Sequence, residues 1–511
     1  MMASFIRTCV NAFTSHALRR SVWHGSALAV LPGVIAATLL GGCAVGPDFS
    51  RPAPPDVHAY THEPLVERSV TADSATQDFT PGVTVPFDWW RLFGSAQLDA
   101  SVAEALAHNP TLEASEASLR ESQDNLRAGY GVFFPQIGAQ ADGVRERTSP
   151  VANGLSGQGT IFNLITASGS ISYVLDVFGG KRRTVESLQA QADYQDYLTK
   201  AAYLSLTANV VNTTIAQAAY AAEIRATKQL IDLENQQLEI TEAQVRAGTS
   251  AYSSVLSVRS LIAANEASLA PLRQKISEAD HLLATLQGQF PSEANRPQID
   301  LNSLALPKDL PVSLPSELVR QRPDILSAEA QLHVASANIG VATAAMFPSI
   351  SLSGTYGAGG TSFGNLSTDS FRFWSIGPSI AIPLFQGGSL WYGRKAAIDA
   401  YQQALANYRQ TVLAAFEQVA DALKALEYDA QALDAQAEAQ RDAVGALSLL
   451  QASYRAGTVG YLDVLVADVQ LHQTSIAYLQ AVAQRHQDTV ALFAALGGGW
   501  WNGQAQVSGG E

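Results

Sequence analysis

The chain has 511 residues, a formal net charge of −14 and only two cysteines, Cys9 and Cys43. The acidic balance and the absence of any basic cluster argue against a nucleic-acid partner. With Cys9 inside a candidate leader, a disulfide framework is excluded for the mature protein.

Residues 1–42 read as a signal peptide. Arg7, Arg19 and Arg20 precede the apolar run "ALAVLPGVIAATLL" from Ala27 to Leu40, which Pro32 interrupts. That run is shorter than the ~20 residues a membrane-spanning helix needs. It ends in "LGGC", Leu40 to Cys43, which resembles a bacterial lipobox. Cys43 would then carry a diacylglycerol and an N-acyl chain; the alternative is an ordinary secretory signal followed by an incidental cysteine. Each buried methylene of such chains contributes ~0.8 kcal/mol of membrane affinity. Ala44 rather than an aspartate follows, which fits outer-membrane sorting by resemblance to that class. Residues 50–86, rich in Pro and Thr, read as an extended arm.

A helical stretch is predicted from Leu98 to Gly131, with a break at Asn109-Pro110, and then the period changes to two. In "PQIGAQADG" Ile137, Ala139 and Ala141 fall on one face and Gln136, Gln140 and Asp142 on the other. In "SISYVLDVF" Ile171, Tyr173, Leu175 and Val177 share a face. Lys181 to Arg246 then runs for 66 residues without proline, rich in Ala, Gln, Glu and Leu. As one helix it would be ~100 Å long. "RAGT", Arg246 to Thr249, is the turn at its far tip, with Gly248 as the left-handed closing residue, and Ala251 to Gln287 is a return helix.

The same order then repeats. Arg322-Pro323 follows Asn109-Pro110 by 213 residues, Phe347 follows Phe134 by 213, Phe385 follows Phe178 by 207, and the second "RAGT" at Arg455 follows the first by 209. The chain is therefore an internal duplication. Ile350, Leu352 and Tyr356 oppose Ser349, Ser351, Ser353 and Thr355; Trp374, Ile376, Ile380, Ile382 and Leu384 share a face; Ser389 to Arg455 is the second long helix. Phe133, Phe134, Phe178, Phe347, Phe373, Trp374, Phe385 and Trp391 stand near the strand ends like interfacial belts.

Strands with one apolar and one small or polar face suit lipid outside and water inside; for any single strand, a soluble sheet with one face on a core is the alternative. Four strands are too few to close a membrane barrel, so several chains must share one. Two chains would give a barrel filled by its own side chains, whereas three would leave a lumen.

The segments "FDWWRLFGSAQLDASVAEALAHNPTLEASEA", "LPSELVRQRPDILSAEAQLHVASANIGVATAAMFPSISLSGTYG", "SIGPSIAIPLFQGG" and "ALGGGW" resemble outer-membrane efflux lipoproteins of the TolC-like superfamily, the outer-membrane factors of resistance-nodulation-division (RND) pumps. The resemblance implies an α-helical protein with a membrane β-barrel, a homotrimer whose twelve-stranded barrel stands on a long periplasmic tunnel, anchored in outer-membrane lipid. It further implies a periplasmic adaptor (membrane fusion) protein and an inner-membrane RND pump as partners, and a tip closed until they dock. The chain then divides into signal peptide 1–42, lipidated arm and equatorial segment 43–97, first repeat 98–288, equatorial linker 289–313, second repeat 314–500 and tail 501–511.

The tips are the candidate site. Arg246, Ala247, Gly248 and Thr249, with Arg455, Ala456, Gly457 and Thr458, would meet the adaptor; as local structure the glycines are helix caps and the arginines suit a helix C-terminus. The resemblance implies that Tyr454 and Arg455 tether the inner helix pair. The family's "YLDVLDAQR" reads "YLDVLVADV" here, so Asp463 matches one acidic position while Val466 and Val469 replace an aspartate and an arginine. Either an acidic ring with Asp463, or an apolar constriction of Leu462 and Val466 that gates by dewetting, fits this text. Asp463 would equally stabilise the start of its helix. Asp468, two residues past Val466, is a further gate candidate that would act from a neighbouring face, turned ~200° away, so it is no full substitute.

No catalytic or metal motif is present, and an enzyme is not expected. "GGKRR" at Gly179 lacks the rest of a phosphate loop, and His58 and His62 lie in the proline-bearing arm without further ligands. Met346 stands alone beyond the first two residues, so no thioether ladder for soft metal ions exists. The readings carried forward are a passive exit duct for drugs, the same duct for protein or metal-ion export, and a lipoprotein scaffold bridging envelope layers. No cofactor is expected besides the lipid on Cys43.

Overall fold

The structure, a computed structural model, describes residues 44–64, 66–70, 76–149, 154, 156, 158–294 and 299–502. Cys43 and the leader lie outside the described residues. The chain divides into two units.

The first unit comprises Ile137–Gly180 and Phe347–Ile382 and holds most of a four-stranded sheet. Its strands are β2 (Gln136–Thr148), β3 (Thr160–Leu175), β5 (Ser349–Gly360) and β6 (Arg372–Ala381), neighbours in that order. Antiparallel β3–β5 pairing joins the two sequence hairpins into one sheet. The register explains the alternation. Tyr173 pairs with Leu352 and Leu352 with Pro378; Leu175 pairs with Ile350 and Ile350 with Ile380; Tyr356 pairs with Trp374. Because paired residues share a face, these apolar side chains form one continuous surface. Ser172, Ser353 and Gly377 pair across the other face, as do Ser170, Thr355 and Ser375. Among the described residues nothing covers the apolar face: Trp374 is 73 % and Ile376 70 % exposed. Val177, Ile382 and Leu384, expected on the strand faces, lie beyond the strand ends.

The second unit comprises Gly46–Gln136, Lys181–Met346 and the chain from Pro383 onward. Its helices are α1 (Ala96–His108), α2 (Pro110–Gly129), α3 (Gly180–Arg246), α4 (Tyr252–Leu286), α5 (Pro315–Gln321), α6 (Pro323–Ala344), α7 (Ser389–Arg455) and α8 (Tyr461–Ala495). Both ends of α3 and α4 are shifted by 209 positions from those of α7 and α8. The long helices each have 67 residues and are ~100 Å long. Among the described residues no helix is long and apolar enough to cross a membrane.

The helix break at Asn109-Pro110 has a local cause. The Asn109 side chain accepts from the Thr111 and Leu112 amides at 2.9 and 3.0 Å, and Pro110 needs no donor at the first helical position. Its amide donates to the Leu286 carbonyl at the end of α4, 2.8 Å away. At the second break the buried Arg322 guanidinium donates to the Ala495 carbonyl at the end of α8 (2.8 Å), to Gln418 (2.7 Å) and to both carboxylate oxygens of Asp324.

A two-stranded parallel sheet joins the arm to the linker, β1 (Asp78–Pro81) against β4 (Asp309–Val312). Beneath it lies the main core, with Trp89, Phe93, Leu98, Leu310 and Phe493 buried; Trp89 packs on Phe493 at 5.5 Å. "ALGGGW" closes this region because Gly497, Gly498 and Gly499 all have positive φ, and a Cβ at Gly499 would lie 2.3 Å from the Val85 carbonyl oxygen. Above Val45 the arm is tied to the helices: Asp48 accepts from Arg183 (2.6 Å), Phe49 stacks on His333 (4.2 Å) and Arg51 pairs with Glu329 (2.7 Å).

Candidate functional site: the two helical tips

Both tips close with the same hydrogen-bond pattern. At the first, Gly248 (φ 72°) donates to the Val245 carbonyl and Thr249 to that of Gln244. At the second, Gly457 (φ 75°) donates to Tyr454 and Thr458 to Ser453. These are the paired bonds of a Schellman motif, which satisfies the last carbonyls of a helix and needs a left-handed residue. The threonine hydroxyls add a second bond to the same carbonyls, at 3.0 and 2.9 Å. Ala247, Thr249, Ala456 and Thr458 are exposed, so both turns present small side chains and backbone to solvent. Arg246 reaches Glu242 at 3.8 Å, and Arg455 is exposed.

Tyr454 ties the tips together. Its hydroxyl donates to the Gln244 side-chain oxygen at 2.6 Å, and its ring packs edge-on against Tyr461 at 5.6 Å. Tyr461 also packs on the α3–α4 cluster of Ile231, Val258, Ile262 and Leu269, so α8 is seated between α3 and α7. The first hairpin (α3, α4) therefore meets the second (α7, α8) along a seam that ends at Tyr454.

At the start of α8 the Gly460 amide donates to the Asp463 carboxylate at 3.0 Å, while Asp463 N–H donates back to the Gly460 carbonyl. An acid there stabilises the positive end of the helix. Leu462 is 69 % and Val466 62 % exposed, on a face that no described residue covers. Asp468 turns the other way and is half-buried. Burial pushes its carboxyl up to about 6.

Three residues of this seam were not singled out in the sequence: Gln244, Glu234 and Asn265. Glu234 is only 3 % exposed; Asn265 donates to one of its oxygens at 2.6 Å and the other has no partner. Burial first, then the charge of Asp468, push the Glu234 carboxyl up to about 7 against the opposing hydrogen bond from Asn265. The signal was an acid on an apolar stripe, Ile231-Glu234-Leu238-Thr241, where the helical period leaves no solvent face.

The chain matches the model of the outer membrane efflux protein family over residues 101–289 and 314–498. It belongs to that family and is an outer-membrane protein. It is 28 % identical to the cation efflux system protein CusC of Escherichia coli O6:H1, over 92 % of this chain and 98 % of that one. It is equally 28 % identical to the pyoverdine export outer membrane protein OpmQ of Pseudomonas aeruginosa, over 91 % and 96 %. Among solved structures, the outer-membrane channel OprN matches 90 % of this chain and 100 % of its own, with a TM-score of 0.81 and 28 % identity.

Proposed function

We propose that the protein is the exit duct of a tripartite RND-type efflux pump, passively conducting drugs or other small molecules from a docked pump and adaptor to the exterior. The observation that carries this reading is the strand register: one face is mostly apolar across β3, β5 and β6, the other is mostly serine, threonine and glycine, and β2 and β6 stand at the two edges of the sheet. Lipid outside, water inside and edges closed by other copies satisfy all three features. Three copies supply twelve strands and a lumen. A scaffold that only bridges envelope layers has no use for such a sheet.

In this reading Cys43 carries the lipid, and the arm that follows is fixed to the helices through Asp48, Phe49 and Arg51. The exposed turns at Arg246–Thr249 and Arg455–Thr458 meet the adaptor. Leu462 and Val466 line an apolar constriction, and Tyr454 with Gln244 holds it shut. The cargo is set upstream, since relatives at equal identity are named for cations and for pyoverdine.

The test is the native mass of mature protein extracted from outer membranes. Three chains, each beginning at an acylated Cys43, support the duct. A single unacylated chain under extraction that preserves a known trimer overturns it.

A further inference from the structure

The chain makes one contact between its hairpins and carries both halves of a second. In the contact it makes, α8 lies on α3: the Gln480 amide donates to Glu223 at 3.5 Å, and Tyr461 packs on the α3–α4 cluster that holds Ile231. The helical period places Tyr461, Leu465, His472, Ile476 and Leu479 of α8 in one stripe, and all five are partly buried. On α3, Glu223 is buried together with Ala222 beside it and Ala219 one turn before.

The shift of 209 positions gives each of these residues an equivalent. Those of the stripe fall on α4 as Tyr252, Leu256, Ala263, Ala267 and Ala270, and every one is exposed, Tyr252 by 58 %. Those of the receiving face fall on α7 as Tyr428, Gln431 and Ala432, also exposed, Tyr428 by 55 %. The same two faces are thus covered where the chain meets itself and left bare by every described residue where it does not.

We infer that the α4 stripe of one copy seats on the α7 face of a second copy, repeating between copies the α8-on-α3 contact made within each. The duplication names the occupant: α7 offers the stripe of α4 what α3 offers the stripe of α8, and each chain carries both open surfaces. Such a contact is head-to-tail, with a different patch used on each side, so it runs from copy to copy until a ring closes. Alanines at 263, 267 and 270 allow a facing helix to approach closely.

The seam between copies differs from the inner one at two places. Pro271 and Ala432 stand where Gln480 and Glu223 bond, and Val245 and Ser453 where Tyr454 and Gln244 bond at 2.6 Å. Neither replacement pair can form a side-chain hydrogen bond, so packing alone holds the outer seam at these points. The inference rests on the duct reading only for the number of copies in the ring.

The experiment co-expresses full-length chains carrying Pro271→Cys or Ala432→Cys, treats outer membranes with a short bis-maleimide and reads the products on a denaturing gel. The expected result is a shift from one chain to two, and to three when every copy carries both cysteines. Asp434→Cys, turned ~200° from Ala432, should not link to Pro271→Cys. A second pair at the tips, Val245→Cys with Ser453→Cys, should link in the same way and serves where Pro271→Cys fails to fold. No shift with either pair overturns the seam, as does linking of Pro271→Cys to a different protein in place of a second copy. If unlinked membranes still yield a native mass of three chains, the seam falls and the duct stands. A linked ring that conducts no ions keeps the seam and removes the duct.

Discussion

The long helices and the return helices of the two repeats match residue for residue and differ in what they carry. Leu286 and Ala495 are equivalent positions, and each offers its carbonyl to a capping side chain at a helix break, Asn109 in one case and Arg322 in the other. The glycine turns are superimposable in their bonding. The helix positions that differ are elsewhere: Ser254 stands where the second repeat has Asp463, Glu234 where it has Ala443, and Pro271 where it has Gln480, which reaches Glu223 across the seam at 3.5 Å. Architecture sits in the shared positions, and in the proposed duct the gate would sit among the unlike ones.

Breaking the frame should cost most. Arg322→Ala leaves the end of α8 without its donor and Asp324 without its cation, and should destabilise by about 3 kcal/mol, against about 1 kcal/mol for Asn109→Ala, read as unfolding of the detergent-solubilised protein. The reverse order would mean that the two junctions are not equivalent supports. Opening is the next test. Leu462→Ser should raise conductance more than Asp463→Asn, because the second loses only a helix-start contact; an acidic gate predicts the opposite ranking. Tyr454→Phe removes the bond to Gln244, worth about 1 kcal/mol, and should raise open probability about fivefold in single-channel records.

A smaller contrast concerns Asp488, whose first-repeat equivalent is the buried Ala279. Burial and a carboxyl contact with Asp429 push Asp488 up to about 7, so its stabilisation is present below about 4 and lost as pH rises through about 7. Asp488→Asn should flatten that dependence, raising Tm at about pH 8 by a few degrees relative to the parent. An unchanged pH profile would place the titration elsewhere.

Long helices, glycine tips and alternating strands were legible because each is a local pattern: absence of proline, a left-handed residue, a period of two. The face assignments for Ile171, Tyr173, Leu352 and Trp374 needed only parity. The β3–β5 pairing joining the hairpins was not legible, because it links residues about 180 positions apart with no local mark. Pro271 inside α4 passed unnoticed, since a helix held by neighbours tolerates the missing donor. At the site, Tyr454 could be named from resemblance, but Gln244 could not, as an exposed-looking amide has no periodic signature. Asp468 illustrates the limit of rotation arithmetic: it shows that the residue leaves the Val466 face, and only the fold shows that it becomes half-buried.

The sheet of one chain, with β2 and β6 at its edges and its apolar face uncovered by any described residue, also has a genetic consequence. A copy able to pair its edges but unable to open would be built into rings alongside normal copies. With equal expression, about one ring in eight would be free of it. Closed-gate alleles should therefore be dominant and deletions recessive, a contrast that a strain carrying both genes would display without any purified protein.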